Sequence, residues 1–83
     1  MSYEKVSQAH NICIGTKQTI KMVEAGKAET VFVAEDADPR ITSKIVNLCN
    51  KLGVSVVYVD SMKKLGKACG IDVGAATAAS LVE

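Results

Sequence analysis

The chain has 83 residues, 48% of them apolar, with ten Lys and Arg against nine Asp and Glu for a net charge of +1. That length fits one domain, residues 1–83, and a domain so small buries only about 60% of its unfolded surface, so its core must pack tightly. No apolar run approaches the roughly 18 residues that cross a membrane, and residues 1–5 show no basic stretch leading into an apolar one, so a cytoplasmic location is expected.

Residues 3–11 read as a short first helix, with Tyr3 and Val6 on one side. Ile12-Cys13-Ile14 is a strand-like apolar run that Gly15 ends. Thr16 or Gly15 opens a second helix, whose buried stripe is Ile20, Val23 and Met22, with Lys17, Lys21 and Glu24 on other faces. Gly26 is placed to stop it. Thr30-Val31-Phe32-Val33-Ala34 lacks polar alternation, the pattern of a central strand covered on both faces. Asp38-Pro39 marks a helix start, because Asp caps free N–H groups and Pro suits the first helical position. Ile41, Ile45, Leu48, Cys49 and Leu52 then recur at helical spacing up to Gly53. Residues 54–59 form another buried strand. Ser61 caps a short helix through Leu65 and Ala68 to Gly70. The alanine-rich stretch 74–82 has the local propensity of a helix. Its Gly and Ser punctuation and alternating order predict instead a last strand that closes the sheet. The alternation of helices and strands predicts an α/β domain with helices on both faces of one sheet.

Catalytic chemistry finds little to build on. His10 is the only histidine, so no Ser-His-Asp or Cys-His arrangement can be assembled. It reads as a surface residue. Cys13, Cys49 and Cys69 are odd in number and widely spaced, unlike a disulfide framework or a zinc knuckle. They read as buried thiols. Glu35, Asp36 and Asp38 could hold a magnesium ion or act as an acid/base pair. The plainer reading is a helix cap and a polar strand end. No catalytic residue, metal or cofactor is expected.

Binding chemistry is better served. Gly15-Thr16-Lys17-Gln18 is not a phosphate-binding loop of known pattern, yet it sets a glycine at a strand tip before a helix N-terminus, where free N–H groups and the helix dipole favour an anion. Lys17 and Lys21 lie four apart on one face, where like charges repel by a few tenths of a kcal/mol, a cost that a phosphate relieves. A pair of solvated lysines is the alternative. A second basic group holds Lys63, Lys64 and Lys67. Should the fold join the two groups, a near-neutral protein gains one positive face. Gly66 costs its helix about 1 kcal/mol relative to Ala, which suggests that another backbone or a ligand approaches there. The loop after it, Gly70-Ile71-Asp72-Val73-Gly74-Ala75, is small and apolar enough to pack on an extruded base. An ordinary helix-to-strand turn is the alternative.

Four ordered blocks carry a resemblance over nearly the whole chain, residues 6–82. They are Gly15-Thr16-Lys17-Gln18-Thr19-Ile20-Lys21, Val33-Ala34-Glu35-Asp36-Ala37-Asp38-Pro39, Leu48-Cys49, and Ser61-Met62-Lys63-Lys64-Leu65-Gly66-Lys67-Ala68-Cys69-Gly70. In these the chain resembles the kink-turn-binding ribosomal proteins of the large-subunit 7Ae type, in a bacterial version. The resemblance implies a three-layer α-β-α sandwich with a small mixed central sheet. It implies recognition of a kink-turn, a sharply bent RNA element with tandem sheared G·A pairs and an extruded nucleotide. The family sets a Gly-x-Asn-Glu-x-x-Lys junction against those pairs. Gly15 and Lys21 match that pattern, while Lys17 stands for Asn and Gln18 for Glu. Gln still donates and accepts, whereas Lys replaces an amide with a donor-only cation.

By the same likeness Ile71, Asp72, Val73, Gly74 and Ala75 form the segment against the extruded nucleotide, with Ile71 and Val73 as apolar cover. Gly74 takes the place of the family's proline, which leaves that loop less rigid. Thr16 belongs to the junction, and Lys63, Lys64 and Lys67 are candidates for the phosphate backbone. The expected partner is a kink-turn in ribosomal RNA or a riboswitch, bound by a monomer, with no DNA or membrane partner. Salt dependence should be shallower than for a strongly basic binder. A protein–protein adaptor on the same fold is the alternative.

Overall fold

The computed structural model describes residues 11–82. Residues 3–10 of the expected first helix, His10 among them, lie outside the described residues. The elements that follow are β1 (Ile12–Ile14), α1 (Thr16–Glu24), β2 (Ala28–Ala34), α2 (Pro39–Leu52), β3 (Ser55–Val59), α3 (Met62–Ala68) and β4 (Thr77–Leu81). Their bounds follow local chemistry. The Asp38 carboxylate accepts the Arg40 N–H at 2.9 Å and Pro39 is the first residue of α2. The Ser61 hydroxyl accepts the Lys64 N–H at 3.1 Å at the start of α3.

The strands form one sheet in the order β1-β4-β2-β3. β4 runs antiparallel to β1 and β2, and β2 is parallel to β3. Register makes the two faces distinct, since side chains alternate across a strand. Cys13, Ala79, Val31 and Val56 stand side by side across the sheet, and they pack with Val23 of α1 and with Ile45 and Cys49 of α2. The next row, Ile14, Ala78, Phe32 and Val57, packs with Leu65 of α3 on the other face. The result is an α-β-α sandwich with a mixed sheet. The alanine-rich stretch does form a strand rather than a helix, but only over Thr77–Leu81, with Ala75 and Ala76 in the loop before it. Ala78 and Ala79 are fully buried in the middle of the sheet, where small side chains let helices on both faces come close.

Two sequence expectations fail in detail. β3 is not a buried strand: it lies at the sheet edge, with only Val59 buried, Val56 and Val57 half-buried and Tyr58 52% exposed. The α2 stripe is buried only in its middle. Ile45 and Cys49 are inaccessible, while Ile41 and Leu52 are 39% and 49% exposed because the helix ends overhang the surface that the sheet and α1 cover. Among the described residues no helix is long and apolar enough to cross a membrane.

Candidate nucleic-acid interface

β1, β2 and β3 point the same way, so α1, α2 and α3, which follow them, all begin at one edge of the sheet. Each helix N-terminus carries unsatisfied N–H groups and a partial positive charge. At α2 and α3 side chains occupy those ends. Asp38 caps α2. At α3, Ser61 caps Lys64 and the Asp36 carboxylate accepts the Met62 N–H at 2.8 Å.

The α1 end is different. Its cap is Gly15, at φ 98° and ψ 148°, with no side-chain cap. Only glycine holds that conformation without strain. It lets the chain leave β1 and turn into a helix while the Gly15 N–H donates to the Thr77 carbonyl at 3.0 Å. The first intrahelical bond is Thr19 N–H to Gly15 O at 2.9 Å, so Thr16, Lys17 and Gln18 have no acceptor for their N–H groups inside the helix. Lys17, Gln18 and Lys21 are exposed and Thr16 is half-buried. The Thr77 hydroxyl donates to the Thr16 hydroxyl at 3.4 Å. Thr19, which the apolar pattern had passed over, is fully buried with its hydroxyl 3.8 Å from the Cys13 sulfur.

Residues 71–75 lie beside this junction, because Ala76 and Thr77 are bonded to Ala34 and Gly15 across the sheet edge. Gly66 fixes the loop's position. A Cβ there would run into the Val73 carbonyl and lie 3.2 Å from the Gly74 Cα. The backbone that the sequence expected near Gly66 is therefore this loop. The Ile71 N–H donates to Gly66 O, and the Ala75 N–H to Met62 O, both at 3.0 Å. Ile71 is half-buried against the α3 side of the core and Ala75 is buried, while Asp72, Val73 and Gly74 are exposed. Val73 is 69% exposed, an apolar side chain held out into solvent at the tip of a pinned loop.

The two lysine groups are not joined into one face. α1 packs with α2 on one side of the sheet and α3 on the other, so Lys63, Lys64 and Lys67 stand across the sheet from Lys17 and Lys21. Lys64 is also paired with Asp60 at 3.1 Å. The cations that do lie near Lys17 are Arg40 and Lys44 of α2, which with Lys17 line an open groove of about 600 Å³ between the two helices. Sequence reasoning missed them because helical spacing says nothing about which helix packs alongside which.

The acidic segment is structural. Asp36 and Asp38 cap helices, and Arg40 pairs with Asp38 at 2.9 Å. The Arg40 side-chain hydrogen bonds, then its backbone N–H, hold the Asp38 carboxyl below the usual carboxylate range. All three cysteines are free. Burial pushes the Cys49 thiol up, and burial with a smaller contribution from Cys13 does the same at Cys69. Such thiols are poor nucleophiles. Among the described residues no three His, Cys, Asp or Glu side chains gather as metal ligands.

A mixed sheet between helices, with an uncapped, basic strand-to-helix junction and a pinned apolar loop at one edge, defines a small α/β binding module. The chain belongs to the family described as Ribosomal protein L7Ae/L30e/S12e/Gadd45, which matches residues 2–83. That family is one of RNA-binding proteins rather than enzymes. The chain is 57% identical over 79 residues to an RNA-binding protein of Halalkalibacterium halodurans, covering 95% of this chain and 96% of that one. It is 59% identical over 81 residues to the RNA-binding protein YbxF of Geobacillus stearothermophilus, covering 98% and 99%. A solved 15.5kD RNA-binding protein of Giardia lamblia superimposes with a TM-score of 0.84 at 33% identity, over 98% of this chain and 68% of that one.

Proposed function

We propose that this protein is a monomeric, cytoplasmic RNA-binding protein that recognises a kink-turn, in ribosomal RNA or a riboswitch. The observation that carries the reading is the contrast between helix ends. Of the three that share the sheet edge, only α1 has no side-chain cap, and Lys17, Gln18 and Lys21 surround it. In the bound state the N–H groups of Thr16, Lys17 and Gln18 meet an anionic or base-edge acceptor in the groove widened by the G·A pairs. Gln18 reads a base edge by donating and accepting, and Lys17 donates to a guanine edge or a phosphate. Val73, with Ile71 beneath it, covers the extruded nucleotide, while Asp72, Gly74 and Ala75 complete the loop around it. Lys63, Lys64 and Lys67 reach the backbone from the opposite side of the sheet edge.

Affinity on this reading comes from fitting a preformed bend and from a few base contacts, which is how a chain of net charge +1 serves an anionic partner. Substituting Lys17 or Gln18 by Ala should cost about 1–3 kcal/mol of binding to a kink-turn RNA, the scale of a base-edge contact. Losses under a few tenths of a kcal/mol would move the site away from the junction. Concentration-dependent self-association with no RNA binding at all would favour the adaptor reading.

A further inference from the structure

The α1–α2 groove has charge that neither helix capping nor the core uses. Among the described residues Lys17, Arg40 and Lys44 line it, against the carboxylate of Asp38. The ion pairs are Arg40 with Asp38 and Lys64 with Asp60, so neither Lys17 nor Lys44 is paired with a carboxylate among the described residues. The Arg40 side chain is 90% exposed, and its guanidinium keeps donors free beyond those given to Asp38. Both helices start at the same sheet edge and pack on each other through the core of that face, so their first turns lie side by side. Arg40 and Lys44 are one turn apart on α2, a rise of about 6 Å, comparable to the step between successive phosphates of one strand. The floor between them includes Ile20 and Ile41, which suits the apolar face of a ribose. The groove runs directly out of the α1 junction, since Lys17 belongs to both.

We propose that this groove holds the sugar-phosphate backbone of the RNA stem next to the bend, with Arg40 and Lys44 as phosphate ligands. The inference rests on the kink-turn reading and extends the RNA footprint from the bend on to one flanking stem. Backbone contacts of this kind position an RNA without reading its sequence.

The test uses the full chain, the Arg40→Gln and Lys44→Gln variants, and kink-turn RNAs in which each flanking stem is long or shortened. With long stems each variant should bind roughly two- to fivefold more weakly, the range of an exposed ion pair. Each should also lower the slope of log affinity against log salt by about one. Preference for the G·A pairs should stay unchanged. Shortening the contacted stem should weaken the wild type likewise and abolish the difference between wild type and variants. Thermal melting checks that α2 survives the loss of the Arg40–Asp38 pair; if Arg40→Gln melts early, Lys44→Gln alone carries the test. Variants that match a kink-turn-selective wild type in affinity and slope would overturn this inference and leave the groove to a protein partner or to solvent. A wild type that does not discriminate the bend would overturn the kink-turn reading and this one together.

Discussion

Gly66→Ala isolates the constraint that positions the apolar loop. Inside α3 the exchange gains helix propensity of about 0.8–1 kcal/mol. Against that, the new Cβ would meet backbone rather than a side chain. It would lie 3.0 Å from the Val73 carbonyl carbon and 3.2 Å from the Gly74 Cα, and closer still to the Val73 oxygen. The loop cannot drift away cheaply, because Ile71 is tied to Gly66 and Ala75 to Met62 by 3.0 Å hydrogen bonds. Overpacking of this kind costs about 1–3 kcal/mol, and a pinned backbone belongs at the upper end. The net loss should be roughly 1–2 kcal/mol, or about 4–16 °C in melting midpoint for a domain of this size. Chemical denaturation and thermal melting both read it. Gly74→Ala is the internal control. Its Cβ would lie 3.3 Å from the Met62 Cβ and 3.5 Å from the Met62 carbonyl, a crowding that a shift of a few tenths of an ångström relieves, so its stability should change by less than about 1 kcal/mol. A Gly66→Ala protein as stable as wild type, or more so, would show that the loop yields freely and that its position is not set by this contact.

Phe32→Ala should be severe. Phe32 is the one phenylalanine, 1% exposed, in the central strand under α3. Truncation should cost about 3–5 kcal/mol, most of the stability of a small domain, and a urea midpoint moved by less than 1 kcal/mol equivalent would contradict the packing described. Asp38→Asn keeps a capping acceptor but removes the charge that Arg40 pairs with. The folded-state pKa of Asp38 lies below its ordinary value of 3.8. The wild type's advantage should therefore be complete above that value and vanish as pH falls through the lowered one. Melting curves that stay equally far apart in strong acid would refute that linkage.

Much of the fold was legible because its signals are local. Asp38-Pro39 and Ser61 mark helix starts through their own backbone chemistry, and an unbroken apolar run at Val31 to Ala34 has no stable place but a covered strand. Gly66 was legible as a cost without local reason, and the structure supplies the reason in the Val73 carbonyl. What escaped depends on contacts distant in the chain. The exposure of Ile41 and Leu52 follows from how far α2 overhangs its support, and the edge position of β3 from the return of β4 between β1 and β2. The same holds at the interface. The uncapped α1 junction could be read from four consecutive residues, whereas the company Lys17 keeps could not. The sequence suggested the lysines of residues 63–67, but the sheet stands between them, and the neighbours are Arg40 and Lys44 of α2, which no local pattern joins to Lys17. Thr19 was passed over because a buried threonine breaks no periodicity and carries no charge.

Kink-turn recognition is tested most directly by titrating the wild-type protein, at one fixed salt concentration, against two RNAs. One contains the bend with its tandem G·A pairs, and the other has the same stems with those pairs replaced by Watson–Crick pairs. A strong preference for the bent RNA is expected. Equal, weak binding to both would reduce Lys17 and Lys21 to solvated charges and contradict the assignment of the α1 junction.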